Sequence, residues 1–143
     1  DIIEFLKNYI NKITKQFSGS RININFSSSA NMAFKTSFAP IDISIIVDNM
    51  VSNAKKAQAN LLEITIEASK DILQMHFISN QPFNKDIGNI NDIFERGFST
   101  TKSTGMGLYH IKNIVDENKW KIIANRKEKE AEFIIIIENE NRL

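Results

Sequence analysis

The amino-acid sequence predicts a single α/β domain. Three segments repeat apolar residues at helical spacing, and six shorter segments with strand signals are interspersed with them along the chain. The order is a helix, two strands, a helix, a hairpin, a glycine-rich loop, a helix and two more strands. With 143 residues and 42% hydrophobic content the chain can bury one core, so we treat residues 1–143 as one domain.

Composition and charge exclude several functional classes. A formal net charge of +1 argues against a strongly basic nucleic-acid surface. The sequence has no cysteine, which excludes a disulfide scaffold, a thiolate metal site and cysteine catalysis, and fits a reducing cytoplasm. No apolar run approaches the roughly 20 residues that span a bilayer. We therefore expect a cytoplasmic domain that contacts neither nucleic acid nor membrane.

The chain begins Asp1-Ile2-Ile3-Glu4, which is no signal peptide. It starts without methionine and already inside a helical pattern. We therefore expect it to be a part of a longer protein, in which any membrane anchor or sensor lies outside these residues.

The first predicted elements look like scaffold. Apolar residues at helical intervals predict an amphipathic helix over residues 1–17. Alternation of apolar and polar residues predicts a half-buried strand over 21–26. A turn over 27–29 and a weaker second strand over 31–38 complete this region.

Pro40 opens the most informative helix, because proline is tolerated in a first helical turn and the apolar pattern then continues to Ala57. Successive residues of a helix are about 100° apart, and this spacing places a carboxylate, an isoleucine, two amides and a cation within roughly 80° on one side of the helix. We call this side the mixed arc. The two amides either bond to a neighbouring loop or solvent, or face a ligand, since a buried unpaired amide costs about 1 to 3 kcal/mol. The members of this arc are Asp42, Ile46, Asn49, Asn53 and Lys56.

A hairpin follows, with a first strand over 62–66, a turn over 69–71 and a second strand that begins at 72 or 73 and ends at 78. Three of the five glycines then fall within residues 97–107, beside a run of hydroxyls and a lysine. Such glycines let backbone N–H groups approach an anion, and the helix behind them adds partial positive charge. The spacing matches neither a P-loop nor a dinucleotide-binding fingerprint.

The chain ends in a helix and two strands. We predict the helix over 106–118, a strand around 120–124, and a strand over 133–137. The last of these is a continuous apolar run, which suits a central strand covered on both faces.

Two of these segments resemble the GHKL ATP-binding superfamily of histidine kinases, Hsp90-type chaperones, gyrase B and MutL. The segment Phe94–Leu108 resembles the F box, ATP lid and G2 box, and Asn49–Ala57 resembles the N box, Asn-Leu-x-x-Asn-Ala-x-x-Ala. The run Gly-Phe-Ser-Thr-Thr-Lys followed by Gly-Met-Gly-Leu is most similar to sensor histidine kinases of the citrate-sensor and quorum-sensor kind.

The resemblance implies a two-layer α/β sandwich of the Bergerat type, with helices on one face of a mixed sheet and ATP between the N-box helix and the lid. It implies that Asn53 coordinates Mg²⁺ through its amide oxygen. It also implies that Asn49 supports the triphosphate or a metal-bound water and that Lys56 neutralises phosphate charge, both acting in catalysis. By geometry, Lys55 points to solvent instead. The ATP-binding residues implied for the lid region are Phe94, Ser99, Thr100, Thr101, Lys102, Gly105, Met106, Gly107 and Leu108.

The adenine contact is the point at which the sequence departs from the superfamily. The strand end that carries the adenine-binding aspartate in the G1 box reads Ser79-Asn80-Gln81-Pro82-Phe83, without aspartate or glycine. Asn80 is the candidate replacement, because its amide offers both an acceptor for the adenine amino group and a donor for N1. Ser79 and Asp86 are rivals, and a turn that binds no ligand is the remaining alternative.

We expect this domain to transfer phosphate rather than hydrolyse ATP. The superfamily's hydrolytic glutamate corresponds to Asn49, which cannot accept a proton from water, and Asp48 is rotated about 100° away. The implied acceptor is a histidine on a separate dimerisation domain, which then serves a response regulator, since neither His76 nor His110 has the acceptor context. An anti-sigma-type serine kinase and a non-catalytic nucleotide-sensing or interaction module are the alternatives.

Overall fold

The computed structural model describes residues 1–17, 19, 21–29, 34, 36–95 and 107–139. Within them the chain forms three α-helices, five β-strands and one short 3₁₀ helix. In chain order these are α1 (Ile2–Gln16), β1 (Asn23–Ser28), α2 (Pro40–Lys56), β2 (Leu61–Ala68), β3 (Ile72–Ser79), the 3₁₀ helix (Ile90–Phe94), α3 (Gly107–Glu117), β4 (Lys121–Arg126) and β5 (Ala131–Glu138).

The helices begin where the sequence signals predict. The side chain of Asp1 caps α1 by accepting a hydrogen bond from the N–H of Ile3 at 3.1 Å. The same carboxylate oxygen accepts a second bond, at 3.2 Å, from the N–H of the buried Phe34. Helix α2 has no side-chain cap at Ala39 and starts instead on Pro40, whose missing N–H needs no partner there.

The five strands form one open mixed sheet in the order β1-β2-β3-β5-β4. Strand β1 pairs parallel with β2, and the crossover between them contains α2. The pairs β2–β3, β3–β5 and β5–β4 are antiparallel. This is the mixed sheet with helices that the sequence and the resemblance predict.

Burial distinguishes the two faces of the sheet. The face that carries Ile64, Phe77 and Phe133 is buried, and its residues belong to the same core cluster as the apolar stripes of the helices. On the other face of β5, Ile134 and Ile136 are only half-buried. The prediction that β5 is covered on both faces was therefore wrong. Its neighbours within the sheet are β3 and β4, and the helices cover only one face of that sheet.

Two boundaries of the N-terminal region also differ from the prediction. Residues 27–28 continue β1 instead of forming a turn, because they pair in register with Thr65 and Ile66 of β2. No strand is present at residues 34 and 36–38, the described part of the weak second strand predicted over 31–38; its other residues lie outside the described part. The buried Phe34 anchors this segment to the start of α1.

Among the described residues, no helix combines the length and the apolar character needed to cross a bilayer.

Candidate functional site

Helices α2 and α3 lie antiparallel and touch at two levels. Near one end, the side-chain amide of Asn118, just beyond α3, donates a hydrogen bond to Asp42 in the first turn of α2 at 3.3 Å. Near the other, Gly107 at the start of α3 meets Asn49 in the middle of α2. The start of α3, which directly follows the glycine-rich segment, is therefore held against the mixed arc of α2.

Gly107 and Asn49 approach so closely that a Cβ at Gly107 would be in tight contact with the asparagine side chain. A Cβ at Gly107 would lie 3.0 Å from Oδ1 of Asn49 and 3.7 Å from Oδ1 of Asn53. The amide nitrogen of Asn49 donates a hydrogen bond back to the carbonyl oxygen of Ile45 at 3.0 Å. This bond turns the amide oxygen of Asn49 outward, so both asparagine oxygens converge on the start of α3.

Asn53 differs from Asn49 in having an amide nitrogen without a partner. That nitrogen is buried and makes no hydrogen bond with any described residue. A buried unpaired amide costs about 1 to 3 kcal/mol, so the arrangement is one that a ligand could complete. Amide oxygens are also the ligand type that Mg²⁺ accepts while it keeps several waters, so these residues fit that ion.

Lys56 and Lys55 both line a groove between α1 and α2, and both are exposed. The ammonium group of Lys55 lies over the ring of Phe17, 4.9 Å from its centroid, so it makes a cation–π contact in addition to facing solvent. Lys56 follows Asn53 by three residues on α2 and borders both the groove and the mixed arc.

Asp48 is on the α1 side of α2, as its rotation from Asn49 predicts. Its carboxylate accepts a hydrogen bond from the hydroxyl of Tyr9 at 2.6 Å. Burial, together with the hydrogen bond to this carboxylate and its charge, raises the pKa of Tyr9 to about 12. Asp48 is thus engaged with α1, away from the asparagine oxygens.

Ser79 and Asn80, the two candidates at the end of β3, are placed differently. Ser79 is 9% exposed and lies on the same face as Phe77, under the helices. The side-chain oxygen of Asn80 accepts hydrogen bonds from the N–H groups of Asn60 at 3.1 Å and Leu61 at 3.3 Å, and its nitrogen donates to the side-chain oxygen of Asn60. Asn80 therefore joins the end of β3 to the start of β2, and Ser79 faces the helix side.

Of the remaining predicted residues, three lie within the described part of the chain and six lie outside it. Phe94 is buried at 8% exposure and packs edge-on against Phe133 with ring centroids 6.2 Å apart, and Leu108 is half-buried on α3. Asp86 is exposed in the loop after β3, where its N–H bonds to the side chain of Asn84 at 2.9 Å. The following predicted lid residues lie outside the described part of the chain: Ser99, Thr100, Thr101, Lys102, Gly105 and Met106.

Sequence reasoning missed a polar cluster on the opposite face of the sheet. Its centre is Glu132, 7% exposed, whose carboxylate lies 3.2 Å from Nδ1 of His76, 3.4 Å from Nζ of Lys127 and 3.0 Å from the amide nitrogen of Asn125. Burial opposes ionisation of Glu132, but Asn125, His76 and Lys127 outweigh it and lower the pKa of the carboxyl. The sequence signal that could have indicated this cluster is a glutamate, Glu132, in a strand that is otherwise mostly apolar. His110, by contrast, is exposed on α3.

Comparison with known proteins gives a match in sequence and several in structure. A family model described as Histidine kinase-, DNA gyrase B-, and HSP90-like ATPase matches residues 39–141. The catalytic domain of histidine kinase ThkA in a nucleotide-free form superimposes with a TM-score of 0.78 at 23% identity, covering 96% of this chain and 94% of that chain. No curated protein sequence matches significantly.

Other histidine kinases share the fold. The mycobacterial sensor histidine kinase MprB gives a TM-score of 0.70 at 13% identity over 96% of this chain and 94% of that chain. ThkA in complex with the response regulator protein TrrA gives 0.77 at 19% identity over 99% of this chain and 42% of that chain. At these identities the likeness establishes the fold.

Proposed function

Because the chain belongs to the family of histidine kinase-, DNA gyrase B- and HSP90-like ATPases, we propose that it binds ATP with Mg²⁺ and donates the γ-phosphate to a histidine on a separate dimerisation domain. The observation that carries this proposal is the convergence of two amide oxygens, those of Asn49 and Asn53, on Gly107, where even a Cβ would be in tight contact. Amide oxygens suit a hard cation such as Mg²⁺, and a helix start whose first residue has no Cβ leaves its backbone N–H groups accessible to the phosphates.

Each residue has a role that follows from its chemistry. Asn53 would hold Mg²⁺ through its amide oxygen. Asn49 would support the triphosphate indirectly, by accepting a hydrogen bond from a metal-bound water with the oxygen that its bond to Ile45 turns outward. Lys56 would neutralise phosphate charge from the last turn of α2. Bound Mg²⁺ would supply further neutralisation of the phosphates. The lid segment over 97–107 would provide donors from its hydroxyls, its lysine and its backbone.

Transfer is favoured over hydrolysis because neither of the two described α2 positions considered for a general base can act as one. Asn49 cannot accept a proton, and the carboxylate of Asp48 is occupied by Tyr9 on the α1 side. Transfer to a protein side chain requires mainly positioning and charge neutralisation from this domain. The acceptor would supply its own base from its own domain.

The proposed partners are a histidine-containing dimerisation domain and, through it, a response regulator in the cytoplasm. The likeness to ThkA, which was solved in complex with the response regulator protein TrrA, supports this assignment. The kinase would thus act in two-component signal transduction. Its relation to the citrate-sensor and quorum-sensor kinases stays a prediction.

One observation favours a second candidate, a non-catalytic nucleotide-sensing module. The end of β3 carries no carboxylate, and the amide of Asn80 is engaged with β2, so base recognition differs from that of the superfamily. A serine kinase of the anti-sigma kind remains the alternative within the same fold.

Binding of a fluorescent ATP analogue with and without Mg²⁺ tests the nucleotide site. We expect Mg²⁺-dependent binding to the unchanged chain and at least about tenfold weaker binding to Asn53→Ala, because an oxygen ligand is lost. Ser52→Ala is the matched control, since Ser52 adjoins Asn53 on α2 but lines the α1 groove. Equal binding by Asn53→Ala and the unchanged chain would contradict the assigned metal ligand.

Transfer is tested with γ-labelled ATP and a histidine-containing helical domain supplied separately. Acid-labile label on that domain supports the histidine kinase, and acid-stable label on a partner's serine supports the anti-sigma alternative. Mg²⁺-dependent binding without transfer to the full-length protein's own helical domain would leave the nucleotide-sensing module.

A further inference from the structure

Ser79 has an unusual position for a polar side chain in this fold. Among the described residues only two polar side chains are buried, Ser79 and Glu132, and Glu132 belongs to the cluster on the opposite face. Ser79 is therefore the one buried polar side chain that the described structure places on the helix-covered face. It stands at the end of β3, the last strand residue before the loop that leads to the lid.

A group of aromatic side chains lies on the same face of the sheet as Ser79, beginning two residues away along the strand. Ser79 pairs with Ala131 of β5, and two residues along the same register Phe77 pairs with Phe133. Phe83 packs edge-on against Phe133 with centroids 5.4 Å apart, and Phe94, which immediately precedes the lid region, packs against the same ring. An apolar, aromatic environment with one polar group beside it suits a purine ring, which combines apolar faces with polar edges.

The hydroxyl of Ser79 has bonding capacity left. The N–H of Gln81 donates to it at 3.3 Å, which leaves a second lone pair and its own hydrogen. It can therefore accept a bond from the amino group of adenine or donate one to the carbonyl oxygen of guanine. A carboxylate in its place could only accept, and it would repel that carbonyl. Asn80 cannot substitute, because its oxygen already accepts from Asn60 and Leu61.

We propose that Ser79 is the residue that contacts the nucleobase and that its hydroxyl makes the site permissive, so that it takes guanosine triphosphate nearly as well as adenosine triphosphate. This inference rests on the nucleotide-binding function proposed above. The specificity of the domain would then come from its phosphate and metal contacts more than from the base.

Competition against the fluorescent ATP analogue in the presence of Mg²⁺ tests the inference on the unchanged chain. We expect ATP and GTP to displace the probe with dissociation constants within about tenfold of each other. Displacement by ATP with GTP weaker than that limit overturns the inference and leaves the proposed function intact. Failure of both nucleotides, or of the probe to bind, removes the nucleotide site and the inference with it.

Variants then identify the residue. Ser79→Asp should raise the preference for ATP over GTP by at least about tenfold, because a carboxylate accepts from adenine and repels guanine. Ser69→Asp adds the same charge at the hairpin turn, where an aspartate can still accept the N–H bond of Ile72, and should leave the preference unchanged. A shift in Asn80→Asp without one in Ser79→Asp would overturn the assignment. If Ser79→Asp fails to fold, the ratio measured on the unchanged chain decides.

Discussion

Asn53 and Glu132 are polar residues on opposite sides of the sheet, and they differ in whether other residues satisfy their hydrogen-bonding groups. The carboxylate of Glu132 has both oxygens occupied, one near His76 and the other near Asn125 and Lys127. The buried amide nitrogen of Asn53 has no partner among the described residues, and its oxygen faces Gly107. A polar group that the chain satisfies contributes to folding, whereas one left open at a constriction is available to a ligand.

This difference also predicts which property each residue affects, the free energy of unfolding or the affinity for nucleotide. Changes in the Glu132 cluster should alter the free energy of unfolding and leave nucleotide affinity unchanged. Changes around Gly107 should alter affinity with little loss of stability. Four experiments test that contrast, and they are given in order of decreasing expected effect.

Glu132→Ala should have the largest effect, a loss of about 2 to 3 kcal/mol in the free energy of unfolding. It removes the common partner of His76 and Lys127 and leaves a gap beside two strands. Denaturant unfolding measures the loss, with the exposed Glu128→Ala as control. Equal stability of the two variants would show that the cluster contributes nothing, and a changed ATP affinity would contradict the separation of the two faces.

Stability should also fall in acid because of Glu132. Its pKa is lowered on folding, so its stabilisation is present above its ordinary pKa of 4.5 and is lost as pH falls through the lower folded value. In Glu132→Gln, this part of the acid dependence should be absent, and stability at pH 7 should be lower by about 1 to 2 kcal/mol. Unfolding curves collected from pH 7 downward measure it. Parallel acid profiles for both proteins would contradict the expectation.

Gly107→Ala should weaken ATP binding by about tenfold, or 1.4 kcal/mol, because the new methyl group would press on the amide oxygen of Asn49. Its stability should change by less than about 1 kcal/mol, since alanine favours the helix. Gly88→Ala is the matched control, because nothing lies within 4 Å of a Cβ there. Unchanged affinity in Gly107→Ala, measured by displacement of the ATP analogue, would refute the constriction.

Asn118→Ala should have the smallest effect, a loss of about 1 kcal/mol in stability, because its amide loses the hydrogen bond to Asp42 that joins α3 to α2 and the one to the carbonyl oxygen of Ile114 at the end of α3. A modest weakening of ATP binding should accompany it, since the start of α3 is then held less firmly. Asn113→Ala, which removes the same kind of side chain at an exposed position of α3, is the control. If both variants have the same stability in thermal unfolding, the contact between the helices is of no consequence.

Local patterns accounted for most of the secondary structure. The helical period and Pro40 gave α2 its start, and apolar alternation with a polar turn gave the β2–β3 hairpin. The same patterns failed at 27–28, because pairing with β2 extends β1, and over 31–38, where an anchoring contact to α1 replaces a strand in the described residues.

The residue types that the site can use follow from the sequence: two asparagines on one arc of α2, a glycine at the start of α3, and no carboxylate at the end of β3. How these residues meet follows from the packing, which inserts β5 between β3 and β4, brings Gly107 against Asn49, and directs the side chains of Ser79 and Asn80 to different places. The two differ in the range of the interactions that set them. Periodicity is a property of neighbouring residues, but strand order and helix contact depend on packing between distant segments, which compete for the same core.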